Sequence, residues 1–290
     1  MIDPEAGSSD PAGGGGAGGA LDGSSPPALT GRAGGALEGA LRAARAAGRK
    51  LLVPYVTGGL GPDWLEVLAA VADAGADALE VGIPFSDPVM DGPVIQEASV
   101  RSLARGTTPG ALLDALAGRE LPVPVAVMTY YNLVFRAGLE RFAGRMARAG
   151  LAAAILPDLP LEEAGEWRAA AAAAGIETVL LAAPTTPPER LDAICAAAAG
   201  FVYGVGTMGV TGERDELAGT ALEVARRLKA RTDLPVLIGV GVSDAAQARA
   251  ICEVADGVVV GSALVRRLLG GAGPAGAAEF VAGLRAGLDG

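Results

Sequence analysis

The sequence predicts an α/β fold, a (β/α)8 TIM barrel, on three observations. Strand-like and helix-like segments alternate from residue 51 onward. The strand-like segments are short and mostly apolar without strict alternation, as expected for parallel strands that are covered on both sides. Eight of them, each followed by a helix, fit into about 250 residues, which is the usual size of such a barrel.

The strand candidates are Leu51–Val56, Ala78–Val81, Val123–Met128, Ala153–Leu156, Glu177–Leu181, Phe201–Val205, Val236–Val240 and Gly257–Val260. Amphipathic helical segments lie between them, and one has apolar residues at i, i+3, i+4 and i+7 from Ala248 to Ala255. An open doubly wound sheet is the alternative fold. Its usual Gly-x-Gly-x-x-Gly turn is missing, because Thr57–Gly61 is glycine-rich but lacks that spacing. The barrel is therefore favoured.

The N-terminal part of the chain differs from the barrel in composition. Residues 1–34 are rich in Gly, Ala, Ser and Pro and cannot bury enough apolar surface to offset the entropy of ordering, so we expect a disordered tail. Ala36–Ala47 then has the spacing of a helix, with Leu37 and Leu41 on one side. We expect a single catalytic domain over residues 35–290, a barrel with this extra N-terminal helix.

Composition restricts the chemistry. The chain contains no histidine, which excludes Ser-His-Asp and Cys-His nucleophilic schemes and histidine-based metal sites; we predict no metal site. Proton transfer near neutral pH must then be carried out by carboxylates, Tyr, Lys or Cys. Asp and Glu total 33 against 23 Lys and Arg, a balance that argues against general affinity for nucleic acid.

Several features bear on cellular location. Cys195 and Cys252 lie in alanine-rich helical segments and are expected to be small buried hydrophobes, which suits a reducing compartment. Apolar stretches fall short of the roughly 18 residues that are needed to span a bilayer. The N-terminus lacks the basic and apolar regions of a signal peptide. We therefore expect a cytoplasmic protein without a membrane partner.

Three carboxylates are concentrated in residues 80–92, a stretch that is rich in Gly and Pro. Alternation along the second strand sends its apolar residues towards the packing helices and Glu80 towards the barrel interior. A buried carboxylate is costly unless it is paired or used, so Glu80 is the first candidate for chemistry. A structural role for Glu80 and a solvated turn position for Asp91 are the alternatives, and Asp87 is expected to shape the turn.

Active sites of barrels lie at the C-terminal ends of the strands, where this chain has many polar residues. The loops after strands 7 and 8, Gly239–Ser243 and Gly261-Ser262, place small residues where backbone N–H groups can approach an anion. Ser262 begins a predicted short helix, Ser262–Leu268, whose N-terminus favours negative charge. These loops predict a phosphate site, with glycines that serve tight turns alone as the alternative.

Five longer segments occur in one order along the chain: Glu80–Pro93, Met128–Asn132, Pro157–Pro160, Gly209–Gly212 and Gly257–Ala263. In these segments the chain closely resembles the tryptophan synthase α subunit family, and the resemblance extends over about residues 51–268. It implies a lyase of tryptophan biosynthesis that cleaves indole-3-glycerol phosphate into indole and glyceraldehyde 3-phosphate by a retro-aldol step.

The resemblance also implies roles for individual residues. Glu80 would protonate indole C3 and take the glycerol hydroxyl proton, while Asp91 would hydrogen-bond the indole N–H. Further substrate contacts are implied for Gly212, Gly241, Gly261 and Ser262 at the phosphate, for Tyr55, Tyr130 and Tyr203 in or around the indole pocket, and for Thr211 beside Asp91. The resemblance implies no cofactor in this chain, and a pyridoxal-phosphate β subunit that receives indole in an αββα heterotetramer.

Two positions depart from the family pattern. Thr207-Met208 stands where Ser-Arg commonly precedes Gly-Val-Thr-Gly, and Met90 replaces a smaller residue before Asp91. The resemblance implies that the Asp91 loop and the loop after strand 6 close over the substrate, and both departures bear on how this closure is coupled to the partner. Other functions stay open: a free-standing lyase, a catalytically silent barrel kept as a binding partner, or another phosphate-sugar enzyme such as an epimerase or isomerase. The last would explain the glycines after strands 7 and 8 but not residues 80–92.

Overall fold

The computed structural model describes residues 34–206, 214–239 and 241–290, with the backbone alone for residues 214–218. In this part of the chain eight parallel strands form one closed barrel in sequence order, and β1 pairs with β8. The strands are β1 Leu51–Thr57, β2 Leu79–Gly82, β3 Val125–Met128, β4 Ala153–Ile155, β5 Glu177–Ala182, β6 Val202–Val205, β7 Val236–Gly239 and β8 Gly257–Val260. The predicted (β/α)8 barrel is confirmed, and closure excludes the open sheet.

Twelve helices accompany these strands within the described residues. They are α1 Ala36–Ala46, α2 Trp64–Asp73, α3 Pro93–Ala104, α4 Pro109–Leu116, α5 Tyr131–Ala137, α6 Leu139–Arg148, α7 Gly165–Ala173, α8 Pro188–Ala197, α9 Arg214–Lys229, α10 Ala245–Cys252, α11 Ser262–Leu269 and α12 Gly273–Asp289. The sequence pattern predicts one helix after each strand, whereas β2, β3 and β8 are each followed by two. After β3 and β8 the first helix begins within three residues of the strand end, at Tyr131 and Ser262, whereas the loop of residues 83–92 separates β2 from α3.

Most predicted strand limits hold to within one or two residues. β3 begins at Val125 instead of Val123, because Pro124 has no N–H and contributes its carbonyl oxygen to Leu79 N–H at 2.9 Å. β7 ends at Gly239, and Val240 lies outside the described residues. Residues 1–33 also lie outside them, so the disordered tail stays a prediction.

Alternation along the strands creates two apolar layers. Residues that face the helices, such as Leu79 and Val81, join the large cluster between barrel and helices. Residues that face inward, such as Ala78 and Ala126, join a smaller cluster inside the barrel. Glu80 lies between Leu79 and Val81 and so faces the interior, as the sequence predicts.

Helix α1 closes the N-terminal end of the barrel. Leu37 and Leu41 are fully buried and pack into the inner cluster, which confirms the predicted extra helix with these residues on one side. The carboxylate of Glu177, at the first position of β5, accepts hydrogen bonds from the backbone N–H of Leu37 at 2.7 Å and of Glu38 at 3.1 Å. It thereby caps a helix whose N-cap residue, Gly35, has no side chain to do so.

Two further sequence features can be compared with the described part of the chain. Cys195 and Cys252 are both buried and unpaired, as predicted for small hydrophobes. None of the helices described there has the length and apolar character that a membrane crossing requires.

Candidate active site

Glu80 is the second residue of β2 and lies between Tyr55 of β1 and Ala126 of β3 in the strand register. Its side chain points into the barrel, the residue is 1 % exposed, and its Oε2 has no hydrogen-bond partner among the described residues. Burial, with a smaller contribution from the charge of Asp91, raises the pKa of Glu80 to about 8. The side chain is therefore mainly protonated at neutral pH.

Asp91 lies in the loop between β2 and α3 and is half-buried. Its backbone is held within this loop, because its N–H donates to the carbonyl of Pro88 at 3.2 Å and its carbonyl accepts from Gln96 Nε2 at 2.9 Å. Burial raises the pKa of Asp91 to about 6, although a hydrogen bond with the Tyr130 hydroxyl opposes this rise. At neutral pH Asp91 is thus mainly ionised, and the two carboxyl groups hold different protonation states.

Tyr130, which follows β3, holds the Asp91 loop through a hydrogen bond and a ring contact. Its hydroxyl oxygen accepts a hydrogen bond from the backbone N–H of Met90 at 2.9 Å. Its ring stacks on Phe85, with 5.0 Å between the ring centroids. Tyr130 is buried and lies outside the set of cavity-lining residues, so it belongs to the surroundings of the pocket and not to its wall.

A cavity of about 510 Å³ opens at the C-terminal end of the barrel, a volume within the usual range for small-ligand sites. Both candidate carboxylates line it. The full set of lining residues is Tyr55, Glu80, Val89, Met90, Asp91, Gly92, Ile95, Met128, Pro157, Leu181, Tyr203, Val205, Gly206, Gly239, Gly241, Val259, Gly261 and Ser262. The cavity therefore joins the Asp91 loop, the barrel interior and the loops after β7 and β8.

Tyr55 and Tyr203 line the cavity from the barrel interior, and each requires a glycine on the neighbouring strand. A Cβ atom at Gly82 would lie 1.9 Å from the Tyr55 hydroxyl oxygen. One at Gly239 would lie 2.4 Å from the Tyr203 hydroxyl oxygen. Burial raises the pKa of both tyrosines well above the usual value, so both hydroxyls stay protonated and can donate hydrogen bonds.

The predicted phosphate residues meet at one side of the cavity. Gly241 has φ +54°, a backbone conformation that glycine adopts without a steric penalty. Gly261 precedes α11, and Ser262 is the first residue of that helix, one residue longer than the predicted Ser262–Leu268. All three line the cavity. The N-terminal N–H groups of α11 and its dipole make this side favourable for an anion. Thr211 and Gly212, like Thr207-Met208, lie outside the described residues.

The apolar wall of the cavity has no counterpart among the residues predicted from the sequence. Met128, Leu181, Val205 and Val259 lie near the C-terminal ends of their strands and line the pocket. Strand alternation could have found them, since they occupy inward positions like the tyrosines. Their side chains provide the apolar surface that a flat aromatic ring requires.

Two other carboxylates near strand ends have local structural roles. Both carboxylate oxygens of Asp158 accept from the backbone N–H of Tyr131, at 2.9 and 3.1 Å, and so cap α5. Asp87 accepts from Ser86 Oγ at 2.6 Å, and its carbonyl accepts from Val89 N–H, as in a turn. Among the described residues no cluster of three or more Cys, Asp or Glu side chains is arranged to hold a metal ion.

Comparisons with known proteins point to one family. The family model described as tryptophan synthase alpha chain matches residues 41–278. The tryptophan synthase alpha chain of Streptomyces coelicolor is 44% identical over 257 residues, which cover 86% of this chain and 93% of that protein. The alpha chain of Gloeobacter violaceus is 45% identical over 235 residues, covering 79% and 84% respectively.

Solved structures give the same result. A tryptophan synthase structure from Mycobacterium tuberculosis superposes with a TM-score of 0.80 at 39% identity, covering 88% of this chain and 99% of that chain. Tryptophan synthase subunit alpha from Legionella pneumophila superposes with a TM-score of 0.80 at 31% identity, covering 89% and 99%. Nearly the whole length of these proteins is therefore represented in the present chain.

Proposed function

This chain belongs to the tryptophan synthase alpha chain family, and on that premise we propose that Glu80 and Asp91 catalyse the family's lyase reaction in it. The substrate is indole-3-glycerol phosphate, and the products are indole and glyceraldehyde 3-phosphate. One observation supports this assignment of residues: two carboxyl groups with different pKa values line one cavity. Glu80 is buried and has a pKa of about 8, and Asp91 is half-buried and has a pKa of about 6.

The proposed cleavage needs two proton transfers at one group. Protonated Glu80 gives its proton to C3 of the indole ring, and ionised Asp91 accepts a hydrogen bond from the ring N–H, where positive charge develops. The bond between C3 and the adjacent glycerol carbon then breaks, and its electron pair returns to the ring. Glu80 takes the proton of the hydroxyl on that carbon, which becomes the aldehyde. Glu80 ends the cycle as it began, protonated.

The two ends of the substrate fit the two kinds of cavity wall. The indole ring is placed between the apolar residues at the strand ends, above Tyr55 and Tyr203. In this proposal the phosphate binds at Gly241, Gly261 and the N-terminus of α11. These residues line the same cavity. Thr211 and Gly212 keep their proposed roles beside Asp91 and the phosphate on the strength of the sequence resemblance. An anchored phosphate holds C3 in reach of Glu80 throughout the reaction.

The cycle balances without an oxidant, a reductant or an electron sink, so we propose that this chain uses no cofactor. The pyridoxal phosphate of the complete enzyme belongs, in this proposal, to the β subunit. The buried and unpaired thiols of Cys195 and Cys252 are compatible with the cytoplasmic location that we propose.

Members of the family work with a β subunit, and we place its docking site beside the Asp91 loop in an αββα complex. Three large apolar side chains are exposed in the loop after β2 and on α5, which follows the neighbouring strand β3: Val89 at 81 %, Met90 at 50 % and Phe135 at 64 %. Val89 and Met90 also line the cavity. A partner that covers them would therefore cover the cavity mouth, so that indole leaves towards the partner.

The experiment that tests the function is an assay of indole release from indole-3-glycerol phosphate by the purified chain, with and without a β subunit. Release by the chain alone, accelerated by the β subunit, supports the full proposal. Release that the β subunit does not change would favour a free-standing lyase, and no release in either condition would favour the silent barrel. Met90→Glu should weaken the acceleration, and Val100→Glu on α3, 65 % exposed, serves as the matched control.

A further inference from the structure

The proposed cycle leaves Glu80 negatively charged between its two proton transfers. A charge in this buried position is costly unless a hydrogen-bond donor compensates it. Oε2 of Glu80 has no partner among the described residues, and no hydrogen bond within that part of the chain supplies one. A donor that reaches Glu80 during the reaction would therefore lower the energy of the charged intermediate.

Four titratable side chains face this region. Asp91 carries the same charge as ionised Glu80 and raises its pKa. Tyr130 is engaged with the backbone N–H of Met90 and with Asp91. The charge of Glu80 also raises the pKa of Tyr203, but the Tyr203 hydroxyl lies against Gly239 of β7, a strand that does not pair with β2. Tyr55 is the remaining one. The Thr57 side chain hydrogen-bonds to its hydroxyl and favours the ionised phenol, as a donor to the phenol oxygen does, so the phenol proton stays available; Tyr55 is also the register partner of Glu80 on β1.

The position of Tyr55 is set by strand geometry. Tyr55 and Glu80 are register partners on neighbouring parallel strands, and both side chains face the barrel interior. Gly82 lies two residues beyond Glu80 on the same face of β2. Because the Tyr55 hydroxyl oxygen lies where a side chain at Gly82 would begin, the hydroxyl sits over β2 immediately beyond Glu80.

From this geometry we propose that Tyr55 is a positioning residue whose hydroxyl donates a hydrogen bond to the Glu80 carboxylate while that carboxylate is charged. The phenol is buried and stays protonated, as a donor must. The absence of a side chain at Gly82 is then part of the catalytic arrangement, since any Cβ there would displace the hydroxyl. This proposal rests on the proposed function and adds a residue to its mechanism.

The test compares Tyr55→Phe with the wild-type protein in the pH dependence of kcat and kcat/KM, from about pH 5 to about pH 10. Phe keeps the ring and removes the hydroxyl alone. Activity requires protonated Glu80, so it is lost as pH rises through the pKa of Glu80. Without the donor, ionised Glu80 is less stable, so its pKa rises. We expect kcat to fall about tenfold and the basic limb to move up by about 0.5–1 pH unit.

Tyr131→Phe is the matched control, because it removes a hydroxyl from α5, outside the set of residues that line the cavity. A direct measurement supports the kinetics: carboxyl ¹³C titration of Glu80, assigned by its loss in Glu80→Gln, in folded wild-type and Tyr55→Phe proteins. An unchanged Glu80 pKa or basic limb in Tyr55→Phe would overturn this inference, even if kcat falls. Should Glu80→Gln itself keep full activity, the proposed function fails instead, so the two failures are distinguishable.

Discussion

The backbone N–H of Met90 donates a hydrogen bond to the hydroxyl oxygen of Tyr130, with 2.9 Å between nitrogen and oxygen. This bond joins the end of β3 to the residue that immediately precedes Asp91. The same hydroxyl also interacts with the Asp91 carboxylate. One phenol therefore fixes the backbone of the catalytic loop and favours the ionised form of its carboxylate.

Replacement of Tyr130 by Phe should reduce catalysis without unfolding the protein. The change removes the acceptor for Met90 N–H and the hydrogen bond that holds down the pKa of Asp91. We expect kcat/KM to fall about tenfold, equivalent to about 1.4 kcal/mol, and the acid limb of the pH profile to move to higher pH. Steady-state kinetics would show this, and an unchanged acid limb with normal turnover would contradict the role of Tyr130.

The wild-type protein should have a bell-shaped dependence of kcat/KM on pH. Activity should rise as pH increases through about 6, because Asp91 must be ionised, and fall through about 8, because Glu80 must be protonated. Since the two carboxylates interact, the limbs report the pair as a unit. A profile that is flat between these values and still active well above pH 8 would show that protonated Glu80 is not required.

Loss of the Glu177 carboxylate should destabilise the closed end of the barrel. Glu177→Ala removes both hydrogen bonds to the N-terminus of α1 and leaves the N–H groups of Leu37 and Glu38 without these acceptors. We expect the free energy of unfolding to fall by about 2–3 kcal/mol, measured by urea denaturation. Glu120→Ala, which removes an exposed carboxylate before β3, should change it by less than about 0.5 kcal/mol. Equal effects of both substitutions would refute the capping role.

Substitution of Ser262 should separate phosphate binding from chemistry. Ser262→Asp places a negative charge at the N-terminus of α11, where the substrate phosphate is proposed to bind. We expect KM to rise at least about tenfold, and inhibition by inorganic phosphate to weaken in parallel. Ser262→Ala, which removes a hydroxyl and adds no charge, should have a smaller effect on KM. Unaltered KM in Ser262→Asp would place the phosphate elsewhere.

The barrel and the direction of Glu80 could be predicted from sequence because both depend on local periodicity. Alternation within four residues of β2 is sufficient to turn Glu80 inward. The bond from Met90 to Tyr130 joins residues 40 positions apart, and the cap from Glu177 to Leu37 joins residues 140 positions apart. Neither leaves a local pattern, so sequence reasoning assigned Tyr130 to the pocket region without its anchoring role and gave Glu177 no role beyond starting a strand.

The pKa values of Glu80 and Asp91 could also be predicted only in part from the sequence. Strand alternation predicts that Glu80 is buried, and burial raises the pKa of a carboxyl group, whereas the rise at Asp91 depends on how far the loop folds over the cavity. Position along the chain does not determine this burial. The difference between the two carboxylates is therefore a property of the folded loop.

The most direct test of the proposed function is the rate of indole formation by Glu80→Gln with saturating indole-3-glycerol phosphate. Gln keeps the shape of the side chain but can neither deliver nor take up the proton, so the account predicts a loss of at least about 10³-fold with an unchanged unfolding transition. Indole formation within about tenfold of the wild-type rate would contradict the assignment of Glu80 as the acid and base of the reaction.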